Sequence, residues 1–280
     1  MDLLGEGFHK IRDLINNRSG IWLGETKNTF LEVRLAPRLK ITNSETLKDY
    51  YYYLKYDSNG ESELEALIDS VTVSETSFFR HQEQLEDFCS VSVPELVRRK
   101  KWTHPLTIWS AGCSTGEEAY TLAMLLMENP CGMPLGSINI MASDISPSSL
   151  QSAREGIYDD HSLRHAPRDY LVKYFEKKSS GKYAIQEQVK RLVKFCGINL
   201  LDSRATGRLR NVDCIFCRNV IIYFDDRHKV KCIENLYLSL RSGGYLFLGY
   251  SESLGRISNL FETVKLKKTV VYRKPDEASL

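Results

Sequence analysis

Residues Thr107 to Tyr120, TIWSAGCSTGEEAY, carry an apolar run into a cluster of small side chains and then into a helix-forming segment. Small residues at such a turn let a ligand approach the backbone, and open α/β sheets take their ligands at the carboxyl ends of strands. The outline is a nucleoside-cofactor site with Gly112 at its turn. The glycines, Gly112 and Gly116, stand as G-x-x-x-G rather than the dinucleotide pattern G-x-G-x-x-G. Glu117 and Glu118 then open the helix, where a pyrophosphate would need the positive end clear. A nucleoside carrying a cationic amino acid in place of phosphates suits this loop better. Taken alone, the segment also reads as a plain β-turn-α connection with capping carboxylates.

Asp144 follows the next apolar run, in MASDIS. An acid at the end of a second strand accepts both hydroxyls of a ribose, while Asp is equally a common helix N-cap. The strand-end position shared with the glycine loop favours ribose. Asn199, in GINLLD, and Arg218, Asn219 and Tyr223, in FCRNVIIYFD, stand at the ends of two further runs. In a doubly wound sheet such ends line one crevice, although singly each is as readily a loop or cap residue. Ser74, Thr76 and Arg80 lie in TVSETSFFR, between two differently patterned halves of the chain. Junctions are favoured places for pockets; the plainer reading is a linker stapled by Phe78 and Phe79, with Arg80 in a surface ion pair.

The elements that must position these residues follow from periodicity. Residues 1 to about 75 read as helices: Phe8, Ile11, Leu14 and Ile15 share one helical face that stops near Gly20. Phe30 to Lys40 follow, with Pro37 expected to bend or end that helix. Thr42-x-x-Glu45 reads as a capping box before Leu47, Tyr50, Tyr51 and Leu54, and Leu64, Leu67, Ile68 and Val71 repeat the spacing. Beyond the polar stretch Arg98 to His104 the pattern changes. Apolar, β-rich runs at 106–111, 138–143, 192–196, 213–217, 245–250 and 269–273 alternate with helix-length segments. Near-continuous apolar strands separated by helices predict a doubly wound sheet buried on both faces. Phe261 to Lys267 and Thr269 to Arg273 predict a closing antiparallel hairpin. The long connection 145–191 predicts an inserted β subdomain, two short strands around Ser179-Ser180-Gly181 within Tyr174 to Ile185.

Composition bounds the function class. The chain has 280 residues, 26% charged and 42% hydrophobic, with a formal net charge of +2. That is the profile of a soluble globular protein without a nucleic-acid field. The longest apolar runs are far too short for a bilayer and no leader pattern opens the chain, so a cytoplasmic protein without membrane insertion is expected. Seven cysteines without framework spacing read as reduced thiols. Cys214-x-x-Cys217 lacks a second ligand pair, so no metal is expected.

In this order the T-x-F-F-R junction, W-S-A-G-C-S-T-G-E-E, A-S-D-I, N-L-L, F-C-R-N-V-I-I-Y-F-D and G-Y-S-E-S resemble the chemotaxis receptor methyltransferases. These are the protein-glutamate O-methyltransferases of the CheR family. The resemblance covers most of the chain and implies an α/β fold: a Rossmann-like class I S-adenosylmethionine-dependent methyltransferase domain, with an inserted small antiparallel β subdomain, preceded by an all-α N-terminal domain. The boundaries expected are 1–75 for the helical substrate-recognition domain, 76–105 for a linker and junction, and 106–280 for the catalytic domain, with the insertion at about 170–192.

Carried over by motif, Ser74, Thr76, Arg80, Gly112, Glu118, Asp144, Asn199, Leu200, Cys217 and Arg218 would contact S-adenosylmethionine and its product S-adenosylhomocysteine. Arg80 and Tyr223 would be catalytic. Many members have Asn where this chain has Ser74, so that contact would be lost, shortened or taken over by water. Arg34, Arg38 and Lys40 match the helix expected to meet the acidic methylation helices of a chemoreceptor; on residue pattern alone they are equally a solvated face. The short turn Lys177 to Lys182 points to an enzyme that binds no receptor tether peptide. A monomer is expected. A reading of another class, a cofactor-binding regulatory scaffold that methylates nothing, uses the same fold.

Overall fold

Phe8, Ile11 and Ile15 bury one face of α1 (Glu6–Ser19), and Gly20 ends it by turning left-handed at φ 79°. The structure is a computed structural model that describes residues 5–100 and 104–276, so 101–103, inside the polar stretch noted above, lie outside the described residues. The chain divides into two units, Met1–Val73 with Tyr223–Lys229, and Ser74–Ile222 with Val230–Leu280.

In the first unit α2 (Asn28–Ile41) buries Leu31 and Leu35 and continues past Pro37, where a bend or stop was expected. Proline there deprives only the Val33 carbonyl of its partner, and Val33 is on the outer face, 64% exposed, where water can serve. The capping box of α3 (Leu47–Tyr56) is Thr46 with Asp49, not Thr42 with Glu45. Thr42 instead closes α2, its hydroxyl donating to the Arg38 carbonyl at 3.0 Å. A shorter acid at the third helical position completes the same reciprocal pair of bonds. In α4 (Gly60–Val71) Leu64, Leu67, Ile68 and Val71 are buried as their spacing predicts. The segment 223–229 joins this unit through a bridge between Ile21 and Phe224 and a bond from the Trp22 N–H to the Tyr223 carbonyl.

The second unit opens with α5 (Gln82–Asp87), a π-helical turn (Phe88–Ser92) and α6 (Val93–Lys100). These residues were expected to be linker. Instead Phe78, Leu85, Phe88, Val93 and Leu96 are buried in the unit's core. Then follow β1 (Leu106–Ala111), α7 (Glu117–Glu128), β2 (Ile138–Asp144), α8 (Pro147–Glu155), β3 (Ile157–Tyr158), α9 (Arg168–Tyr174), β4 (Phe175–Lys177), β5 (Tyr183–Ile185), α10 (Glu187–Lys190) and β6 (Val193–Gly197). The chain continues through α11 (Ser203–Thr206), β7 (Val212–Cys217), α12 (Asp226–Ser239), β8 (Leu240–Leu248), β9 (Glu262–Lys265) and β10 (Val270–Arg273).

Seven strands form one sheet in the order β6-β2-β1-β7-β8-β10-β9. The first five are parallel, and β10 runs antiparallel to both β8 and β9. Strand order reverses at β1, which opens a crevice at the carboxyl ends of β1 and β7. The insertion is a separate sheet of three strands, β3-β5-β4, one more than expected and starting upstream at Ile157. A two-residue strand carries no alternation by which to see it. Gly181, at φ 81°, makes the turn between β4 and β5. Among the described residues no helix is long and apolar enough to cross a membrane.

Candidate cofactor site

The turn after β1 is pinned to β2, because the Ser143 carbonyl accepts both the Gly112 and the Cys113 N–H, at 2.8 and 2.9 Å. Gly112 adopts φ +82°, and a Cβ there would lie 2.4 Å from Val220 Cγ2, so both conformation and space demand glycine. Asp144 ends β2 with its carboxylate over this turn: Oδ2 accepts the Ser114 N–H at 2.8 Å and Oδ1 the Ser146 N–H at 2.9 Å. The N-cap of α8 is Ser146, whose hydroxyl accepts the Ser149 N–H at 3.0 Å. The N-cap reading of Asp144 is thereby removed.

Glu118, in the first turn of α7, does not present a bare carboxylate. Its Oε1 accepts the Ser110 hydroxyl and its Oε2 the Arg218 Nε–H, each at 2.6 Å. Both side chains are nearly sequestered, 4% exposed for Arg218 and 12% for Glu118. Arg218 also donates from Nη1 to the Arg80 carbonyl at 2.8 Å and to Gln84 Oε1 at 3.3 Å. Gln84 in turn donates to the Leu248 carbonyl at the end of β8. Glu117 is buried beside it, taking the Thr115 and Ser162 hydroxyls, and burial pushes its carboxyl up from the ordinary carboxylate range.

Two residues that the sequence did not single out organise the far side of the crevice. Glu252 gathers three main-chain donors: Asn219 N–H at 2.8 Å and Gly249 N–H at 2.7 Å on Oε2, and Ile222 N–H at 3.2 Å on Oε1. It holds the chain after β7 in place with Asn219 at φ 60°. The available signal was an acid in G-Y-S-E-S, directly beyond a buried strand. His81 stacks on Tyr250 with centroids 4.2 Å apart, next in sequence to Arg80.

The remaining expected residues divide. Asn199 Oδ1 accepts the Leu201 N–H at 3.0 Å, and Leu200 is buried with its carbonyl taking Asn235 Nδ2 at 2.8 Å. Ser74 reaches Ser149 hydroxyl to hydroxyl at 3.0 Å. Thr76 offers its carbonyl to Arg164, and Arg80 Nη1 donates to the Glu75 carbonyl at 3.0 Å. The Cys217 side chain is fully buried as a free thiol, so only its main chain is available to a ligand. Tyr223 belongs to the helical unit, where Lys27 Nζ lies 5.5 Å over its ring. The basic trio is also divided. Arg34 and Lys40 are exposed, whereas Arg38 forms a forked pair with Glu63, which accepts the Tyr50 hydroxyl at 2.6 Å as well.

Two buried polar atoms at the crevice, Ser114 Oγ and Asn219 Oδ1, have no hydrogen-bond partner among the described residues. Buried polar atoms are rarely left so. With the glycine turn and Asp144, they fit a ligand rich in polar groups, such as a nucleoside.

A sheet of this order, five parallel strands closed by an antiparallel pair, defines a Rossmann-like class I S-adenosylmethionine-dependent methyltransferase. The chain belongs to the CheR methyltransferase family: residues 74–270 match the "CheR methyltransferase, SAM binding domain" and 6–72 the "CheR methyltransferase, all-alpha domain". It is 37% identical to chemotaxis protein methyltransferase 2 of Vibrio cholerae serotype O1, over 96% of this chain and 92% of that one. It is 31% identical to chemotaxis protein methyltransferase 1 of Pseudomonas aeruginosa, over 98% of this chain and 99% of that one. An O-methyltransferase family protein from Burkholderia thailandensis aligns at 13% identity with a TM-score of 0.41, over 89% of this chain and 70% of that one, a likeness on which no assignment rests.

Proposed function

We propose that this protein transfers the methyl group of S-adenosylmethionine to glutamate side chains on the cytoplasmic helices of chemoreceptors, leaving glutamate methyl esters and S-adenosylhomocysteine, without a metal and in the cytoplasm. The observation that carries the reading is the Asp144 carboxylate over the Gly112 turn, within a chain that matches the family along nearly its whole length.

Bound S-adenosylmethionine supplies a methyl group on a cationic sulfur. The acceptor needs no general base, since a glutamate with a pKa of about 4.3 is already ionised at neutral pH. What the protein must do is align a carboxylate oxygen with that methyl group at roughly 3 Å and keep water out. Opposite charges merge into neutral products, so a site of low dielectric favours the step once the carboxylate is oriented. Asp144 would hold the ribose, and Asn199 and Leu200 would frame the adenine. Arg218 fixes Glu118 and supports the Arg80 backbone. Arg80 orients the acceptor carboxylate as a forked donor, positioning it without pairing so tightly that the nucleophile is blunted. Tyr223 adds a hydroxyl donor, an assignment that rests on its sequence motif. Arg34 and Lys40 serve docking of the acidic receptor helices.

The test is incubation with methyl-labelled cofactor and purified receptor cytoplasmic domains, followed by mapping of base-labile label. Label on glutamate peptides supports the reading. Binding of the cofactor without transfer, or transfer to a free acid but not to receptor helices, contradicts it.

A further inference from the structure

Three serines connect the start of the larger unit to Asp144, with a fourth alongside. Ser74 and Ser149 meet hydroxyl to hydroxyl at 3.0 Å, and Ser146 Oγ donates to Ser149 Oγ at 2.9 Å while accepting the Ser149 N–H. Ser146 then donates its own N–H to Asp144 Oδ1 at 2.9 Å, and Ser148 Oγ lies 3.3 Å from Ser146 Oγ. Ser146 and Ser149 are buried, 1% and 3% exposed, whereas Ser74 is exposed.

A hydroxyl has one proton to give and two lone pairs to receive with. Ser149 Oγ receives from Ser146 and keeps its own proton to give, while either hydroxyl of the Ser74–Ser149 pair can donate to the other. When Ser149 gives its proton to Ser74 Oγ, Ser74 keeps its own for a ligand at the open end of the chain. The Ser74–Ser149 bond spans 75 positions of sequence and holds an exposed residue against a buried helix terminus.

We propose that Ser149 is a positioning residue for the cofactor: it orients Ser74 as a hydroxyl donor toward the nucleoside gripped by Asp144, and Ser146 couples the two. The proposal rests on the cofactor reading above. Ser149 acts only through Ser74, so removing either hydroxyl removes the same contact. Ser149→Ala keeps the amide that caps α8, and Ser74→Ala changes an exposed side chain, so neither threatens the fold.

The experiment is calorimetric binding of S-adenosylhomocysteine to the wild type, Ser74→Ala, Ser149→Ala, the double variant and Asp144→Asn, each checked by thermal unfolding. One hydrogen bond lost corresponds to an affinity loss of about 3- to 10-fold. Each single serine variant is expected to lose that much, and the double variant no more than either. The KM for S-adenosylmethionine should rise by the same factor with kcat unchanged, because the contact is made equally in ground and transition states. Losses that multiply in the double variant, or a silent Ser74→Ala or Ser149→Ala while Asp144→Asn weakens binding, overturn the proposal. A silent Asp144→Asn overturns the cofactor reading itself.

Discussion

Arg218 Nε lies 2.6 Å from Glu118 Oε2, tying the turn beyond β7 to the first turn of α7 across β1. Both groups are shielded from water, so removing one partner strands the other's charge. Arg218→Ala should destabilise the protein by about 3 kcal/mol, and the double variant Arg218→Met with Glu118→Gln should recover most of it. Urea unfolding of the three proteins checks this. A double variant less stable than Arg218→Ala would contradict it.

Arg80 is expected to act by geometry as well as charge. Lysine keeps the charge but loses the planar fork. Arg80→Ala and Arg80→Lys should both lower turnover on a receptor fragment by about 10-fold or more, a loss of about 1.4 kcal/mol in transition-state stabilisation. Near-complete activity in Arg80→Lys would leave charge alone as the requirement. Full activity in Arg80→Ala would remove the residue from the mechanism.

The basic residues of α2 should separate by assay. Arg38 partners Glu63, a carboxylate only 7% exposed that also accepts the Tyr50 hydroxyl. Arg38→Ala should cost about 3 kcal/mol of stability in the helical unit. Arg34→Ala and Lys40→Ala, both at exposed positions, should leave stability within about 0.5 kcal/mol of the wild type. They should instead raise the KM for receptor helices, most at low salt, because the interaction is screened. Unfolding curves and receptor titrations at two ionic strengths distinguish these effects.

His81 gives the protein a pH dependence of definite sign. Burial first, then the charges of Arg218 and Arg80, lower its pKa from 6.5 to about 4. Its folded-state value lies below the unfolded one, so the unfolded chain takes up the proton first as pH falls. The stabilising contribution is complete above pH 6.5 and is lost toward pH 4. His81 sits at φ 60° and ψ 60°, a conformation that asparagine tolerates. Across that interval His81→Asn should lose less stability than the wild type. Parallel stability curves would contradict the assignment.

How far the chain could be read without coordinates depended on how local each signal was. The strands β1, β2 and β7 are near-continuous apolar runs, and the sheet they imply is present. The places of Gly112 after β1 and Asp144 at the end of β2 were legible, because the apolar runs before them mark where the strands stop. Partners distant in sequence were not. Nothing at Arg38 announces Glu63, and nothing at Ser74 announces Ser149. Glu252 could not be read as an anchor, because two of its three main-chain partners lie some thirty positions away. The capping box slipped from Thr46 to Thr42 because two overlapping patterns compete within eight residues, and only packing of the following helix selects one. The strand β3 is too short to show a period.

The most direct measurement is a crystal structure of the protein grown with S-adenosylhomocysteine. The prediction is a nucleoside whose ribose hydroxyls lie against the Asp144 carboxylate, with Ser114 Oγ or Asn219 Oδ1 taking up a hydrogen bond to it. A nucleoside bound elsewhere, away from the Asp144 carboxylate, would contradict the account.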